Sequence, residues 1–154
     1  MATTHNSQSI LGALDTAVAG TTLNALTFSG ASTAFGLGAA INNTPSDGTT
    51  ISYDMCDVTV QLASAVVSVA PAYITIYILP SVDGTNYPSQ VSNAAPLHHA
   101  YTFDVVAGSV QTIVCPNIPI PPSNFKVLLQ NSLGINFPAS GNTCQMMRKT
   151  TANW

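Results

Sequence analysis

The sequence predicts an all-β fold: a single β-sandwich of jelly-roll or Greek-key type, with an N-terminal extended or short helical arm. Three observations carry that expectation. Segments rich in Val, Ile, Thr and Tyr alternate apolar and polar residues with a period of two. Clusters of Gly, Pro, Asn, Asp and Ser separate these segments at spacings too short for intervening helices. No long amphipathic helix pattern follows Gly20. About seven to nine short strands with one apolar face each bury that face by stacking two sheets. The Cys and Trp arrangement of immunoglobulin domains is missing, the one Trp being Trp154.

Taken in order, residues 1–20 form the arm. The apolar positions Ile10, Leu11, Leu14 and Val18 fit one face of a short helix, which Gly12 weakens and which needs a surface to pack on. Residues 21–147 form the sandwich body. Asp57 to Leu62 sets Val58, Val60 and Leu62 on one face, with Thr59 and Gln61 on the other. Tyr73 to Leu79 turns Ile74, Ile76 and Ile78 inward and Tyr73, Thr75 and Tyr77 outward. Tyr101 to Asp104 and Val110 to Cys115 repeat the alternation. So does Phe125 to Gln130, with Phe125, Val127 and Leu129 inward. Turns are expected at Pro45-Ser46-Asp47-Gly48, at Asp83-Gly84 and at Ala107-Gly108, where Asp and Gly accept tight backbone angles. The run Pro116 to Pro122 reads as an extended connector, because its four prolines cannot donate to a central ladder. Residues 148–154 form a C-terminal tail.

Composition narrows the function. Only 6% of the 154 residues are charged, three Lys or Arg (Lys126, Arg148, Lys149) and six Asp, with no Glu. An ordinary soluble domain carries about 25%. Ser, Thr, Asn and Gln supply about a third of the chain, so it is polar without being ionic. A net charge of -3 and no basic cluster leave no electrostatic footprint for a nucleic-acid backbone, so no nucleic-acid partner is expected. No apolar run approaches the ~18 residues of a membrane helix, and the N-terminus has no secretory-signal pattern. A soluble, unexported chain without a membrane partner is expected. Cys56, Cys115 and Cys144 are odd in number and far apart, which fits small buried apolar residues better than a disulfide framework or a zinc knuckle.

Few residues offer chemistry. Asp54 and Asp57, three apart in a strand, point to opposite faces, which suits no carboxylate pair. Asp83 and Asn86 provide too few oxygens for a calcium site. His98 and His99, adjacent in a strand, face opposite ways and fit a surface or interface pair better than a shared metal. No G-x-S-x-G elbow occurs, and Phe35-Gly36-Leu37-Gly38-Ala39-Ala40 lacks the third Gly and the Lys of a nucleotide loop. No catalytic residue, cofactor or metal is expected. A chain with so few charges meets little desolvation cost when neighbours pack closely, as obligate interfaces require.

The segment Tyr77-Ile78-Leu79-Pro80-Ser81-Val82-Asp83-Gly84-Thr85-Asn86-Tyr87 resembles a "YLLPSxDGTNY" segment of small virion proteins of tailed bacteriophages. A second block is similar: Pro119 to Asn131, then Gly134 and Phe137-Pro138-Ala139-Ser140-Gly141-Asn142-Thr143. With a "TLNAL" entry at Thr22 to Leu26 and a "DVTVQLAS" strand, the resemblance covers about residues 21 to 145. It implies a capsid decoration, or cement, protein on the exterior of a phage head, made in the host bacterial cytoplasm. Its partners would be the major capsid protein and further copies of itself, as a homotrimer. The family supplies no catalytic residues. The sequence departs from the pattern in lacking acids in the stretch directly following Tyr87 and in carrying His98-His99. Capsid or partner contacts are expected from the arm and tail, through Ile10, Leu11, Leu14, Val18 and Trp154. The alternative is a tail- or fibre-associated receptor- or glycan-binding module that uses Tyr53, Tyr73, Tyr77, Tyr87 and Tyr101.

Overall fold

The computed structural model describes residues 7–24, 26–27, 35–43, 52–63, 73–88, 99–104 and 112–153, with backbone only for 7–9, 99–104 and 151–153. The turns expected at 45–48 and 107–108, His98, and Trp154 lie outside these residues.

Among the described residues there are eight strands: β1 (Ser7–Val18), β2 (Phe35–Leu37), β3 (Met55–Gln61), β4 (Tyr73–Pro80), β5 (His99–Asp104), β6 (Thr112–Pro119), β7 (Phe125–Ser132) and β8 (Thr143–Asn153). One helical turn, α1 (Gly20–Leu23), follows β1. The first sheet has the order β1-β8-β3-β6 and the second β2-β7-β4-β5, with every pairing antiparallel. The first strand thus pairs with the eighth, the second with the seventh, the third with the sixth and the fourth with the fifth. Both sheets turn one face to a single buried cluster. From the first sheet come Cys56, Val58, Val60, Cys115, Cys144 and Met146, and from the second Ile74, Ile76, Ile78, Phe125, Val127 and Leu129. The fold is all-β, built on two antiparallel sheets.

The inward faces of β3, β4 and β7 follow the alternation of the sequence, but β4 and β7 bury part of their other face too. Thr75, Leu79 and Leu128 are all nearly inaccessible. The cause is position: these two strands are central in their sheet, and Leu128 is flanked across the ladders by Leu37 and Tyr77.

Of the two forms expected for the arm, extended or short helical, the described residues take the extended one, and no helix forms through Ile10, Leu11, Leu14 and Val18. Residues 7–18 are instead the edge strand of the first sheet, paired with β8. Two bulges explain the helix-like spacing. One extra residue enters β1 between Leu11 and Leu14 and another between Thr16 and Val18, each shifting the pleat by one position. Leu11 and Leu14, three apart, therefore share the outward face, while Ala17 and Val18, adjacent, are both buried. Nor do residues 148–153 form a separate tail, since they continue β8 and pair with β1.

The proline run also differs from expectation. β6 extends through Pro116 and Pro119, which is possible because it is the edge strand at the far side of the same sheet. An extra residue enters where Cys56 faces Ile118 and Val58 faces Cys115, and Asn117 there takes φ 59°. The Asp57 carboxylate accepts the Asn117 N–H at 2.8 Å and holds this bulge.

Buried amides join the loops. Asn131 Nδ2 donates to the carbonyls of Leu26 and Ile135, and Asn142 Nδ2 to Asn24 Oδ1 and the Pro138 carbonyl. Asn43 Nδ2 donates to the carbonyls of Tyr53 and Pro121, both at 2.7 Å. A buried neutral amide satisfies several backbone groups without the desolvation cost of an ion. Gly38 marks where β1 meets the second sheet. Its N–H donates to the Val127 carbonyl at 2.8 Å, and a Cβ there would stand 1.9 Å from the Ala17 carbonyl oxygen. The glycine cluster is thus a site of close backbone approach.

Candidate functional site

The outward face of the first sheet collects most of the large apolar side chains exposed among the described residues, the exception being Val82 in the turn after β4. Register sets its rows. Leu11 lies beside Lys149, Lys149 beside Met55 and Met55 beside Pro119. The next row runs Leu14, Met147, Asp57, and the third Thr16, Gln145, Thr59, Val114. Leu11, Leu14 and Val114 are 59%, 56% and 57% exposed, and Met55 is 39% exposed.

The charges of this face cancel. Lys149 Nζ donates to Asp57 Oδ1 at 2.6 Å, between β8 and β3. Partial burial pushes the Asp57 carboxyl up, yet the Lys149 ammonium and the Asn117 N–H outweigh it and hold it below the ordinary carboxylate range. On the other side of β8, Arg148 Nε donates to Asp15 Oδ2 at 2.9 Å and Nη1 to the Asn42 carbonyl at 2.7 Å. Its guanidinium lies over the Tyr53 ring. Both cations of the expected tail are therefore engaged within the protein.

Of the contact residues named from sequence, Leu11 and Leu14 come together on this face. Ile10 is half-buried, Val18 is in the core and Trp154 lies outside the described residues. Met55 and Val114 were not anticipated. Their signal was present in the alternation, because each is an apolar residue at an outward position next to an inward one, Cys56 or Cys115.

A concavity of about 480 Å³ lies on the outer side of the second sheet, lined by Leu37, Leu79, Thr85, Asn86, Tyr87, Pro88 and Lys126. The turn that walls it is fixed by Asp83. Its carboxylate accepts from the N–H groups of Asn86 (2.7 Å) and Thr85 (2.9 Å), from Asn86 Nδ2 (2.5 Å) and from Ser81 Oγ (3.0 Å). These donors, the backbone N–H of Asn86 foremost, hold the carboxyl far below its usual range. Gly84 supplies the positive φ of 75° that the turn needs.

Cys56, Cys115 and Cys144 all face the core as free thiols, and burial pushes each up to about 12. Among the described residues, no group of three or more His, Cys, Asp or Glu is placed to hold a metal ion. The described helix is a single turn, and none is long and apolar enough to cross a membrane.

The architecture defines an all-β protein, with two antiparallel sheets of four strands each among the described residues. No protein-family model, curated protein or solved structure matches the chain.

Proposed function

We propose that this chain is a jelly-roll capsid decoration protein that binds the outside of a tailed-phage head as a homotrimer and strengthens the shell. The strand order supports the fold. Rolling up a long antiparallel hairpin in which the first strand pairs with the eighth and the fourth with the fifth yields the two sheets β1-β8-β3-β6 and β2-β7-β4-β5. The observation that carries the role is the outward face of the first sheet. Leu11, Leu14, Met55 and Val114 are exposed there around a single internally paired Lys149 and Asp57. An apolar patch with its charges already neutralised loses little on desolvation and suits a permanent contact with the major capsid protein. Three weak copies held by one trimer reinforce one another through effective concentration.

The test mixes the purified chain with undecorated heads of the virus that encodes it and counts bound copies by quantitative mass spectrometry. A copy number comparable with the capsid protein, reduced about tenfold or more by Leu11→Asp with Leu14→Asp, is the expected result. A handful of copies per particle, located at the tail, would instead establish the receptor-binding alternative.

A further inference from the structure

We infer that the pocket beside the Asp83 turn binds a carboxylate-bearing saccharide, with the sugar on Leu37, Pro88 and Tyr87 and its carboxylate on Lys126. This site is separate from the outward face of the first sheet and does not depend on the decoration role.

The inference begins with the charge inventory. The chain has three cations. Arg148 is paired with Asp15 and Lys149 with Asp57, at 2.9 and 2.6 Å. Lys126 has no carboxylate partner among the described residues. Its ammonium stands 4.3 Å from the centre of the Tyr87 ring at the wall of a pocket of about 480 Å³. That volume falls within the range of about 300–1,000 Å³ typical of small-molecule sites. A protein with so few charges has left one of them facing a cavity, positioned by an aromatic ring.

The walls are ordered before any ligand arrives. Asp83 draws its four hydrogen bonds from Ser81, Thr85 and Asn86, Tyr87 Oη donates to the Gly84 carbonyl, and the Ser81 N–H donates to the Asn124 carbonyl at 2.7 Å. Such pre-organisation lowers the ordering cost of binding. Thr85 and Asn86 line the pocket with polar side chains suited to sugar hydroxyls, while Leu37 and Pro88 offer apolar surface to a pyranose face.

The chemistry selects a carboxylate over a phosphate. Phosphate sites gather several N–H donors or an Arg fork around the anion. Here the N–H groups of Thr85 and Asn86 are already spent on Asp83, and one lysine is the cation available. A lipid surface needs several basic residues together, and this pocket has one.

The test uses the full chain and two probes, the β-1,4-linked mannuronate tetramer and the β-1,4-linked mannose tetramer. They differ in having a carboxylate where the other has a hydroxymethyl group. Binding is followed by isothermal calorimetry and by NMR shifts at Lys126, Tyr87 and Asn86. The acidic tetramer should bind at least about tenfold more tightly than the neutral one, and Lys126→Gln should remove that difference. Raising the salt should weaken the acidic tetramer alone. Lys126 is half-buried on a strand surface, and the unchanged NMR spectrum of the rest of the variant checks its fold. Equal affinity for the two tetramers, binding unaffected by Lys126→Gln, shifts located elsewhere, or no binding of either tetramer at about 10 mM would each overturn the inference.

Discussion

Lys149 and Asp57 meet at 2.6 Å on the outward face of the first sheet, and the same aspartate oxygen accepts the Asn117 N–H of the neighbouring edge strand. One carboxylate thus ties β8 to β3 and secures the bulge in β6.

Asp57→Asn should cost about 1–2 kcal/mol in urea unfolding at pH 7, since it removes a charge-assisted hydrogen bond and weakens the one at the bulge. The Asp57 carboxyl is lower in the folded protein than in the unfolded chain. Its stabilisation is therefore complete above the unfolded value near 3.8 and is lost as pH falls through the lower folded value. Wild type and Asp57→Asn should converge in stability as the medium is acidified below about pH 4. A constant gap between them down to pH 2 would show that the aspartate acts by packing alone.

At Gly38, even one added methyl group meets backbone. A Cβ there would stand 1.9 Å from the Ala17 oxygen, which belongs to a strand and cannot swing aside. Gly38→Ala should lower stability by about 2–4 kcal/mol. Gly36→Ala provides the contrast, because its Cβ would touch side chains of Leu23 and Val18 at ordinary distances of 3.4 and 3.5 Å. That variant should change stability by less than about 1 kcal/mol in thermal melts.

Deletion of residues 1–20 removes a strand. The truncated chain loses Ala17 and Val18 from the core and bares the edge of β8. It should lose on the order of 3 kcal/mol or more, or aggregate, as followed by circular dichroism and light scattering. A truncated protein with an unchanged melting temperature would show that β1 docks without supporting the core. For this reason Leu11→Asp with Leu14→Asp, on exposed side chains, isolates surface binding from folding.

The three thiols give a readout of core integrity. All are buried and shifted up to about 12, so a thiol reagent at pH 8 should leave them unmodified in the native protein. All three should react at once in guanidinium. Rapid labelling of one thiol under native conditions would identify a local opening around that strand.

The legible part of the fold was the regular part. Val58 to Gln61, Ile74 to Ile78 and Phe125 to Leu129 declare their inward faces because each runs without interruption through its ladder. β1 was only half legible, extended being one of two forms expected for it, because two bulges give its apolar residues helical spacing, and a bulge is decided by the partner strand as much as by its own residues. β2 is three residues long, too short for any period to show. β6 hid its second half because prolines look like an end of structure unless one knows that the strand lies at an edge. At the candidate face the same divide holds. Leu11 and Leu14 could be named from their apolar character, but their partnership with Met55 and Val114 depends on which strands become neighbours, which no local pattern records.

The pairing of first strand with last has a consequence for how the protein is made. Ser7 opposes Asn153 and Val18 opposes Cys144, so the ladder that anchors β1 cannot begin until residues 143–153 have left the ribosome. The β3 strand waits for the same segment on one side and for β6 on the other. During synthesis the apolar stretch Tyr73 to Leu79 emerges well before β7, its neighbour in the finished sheet. Folding of this chain thus requires late closure of contacts far apart in sequence, and with 6% of its residues charged the growing chain has little charge repulsion to hold it apart from its neighbours until then.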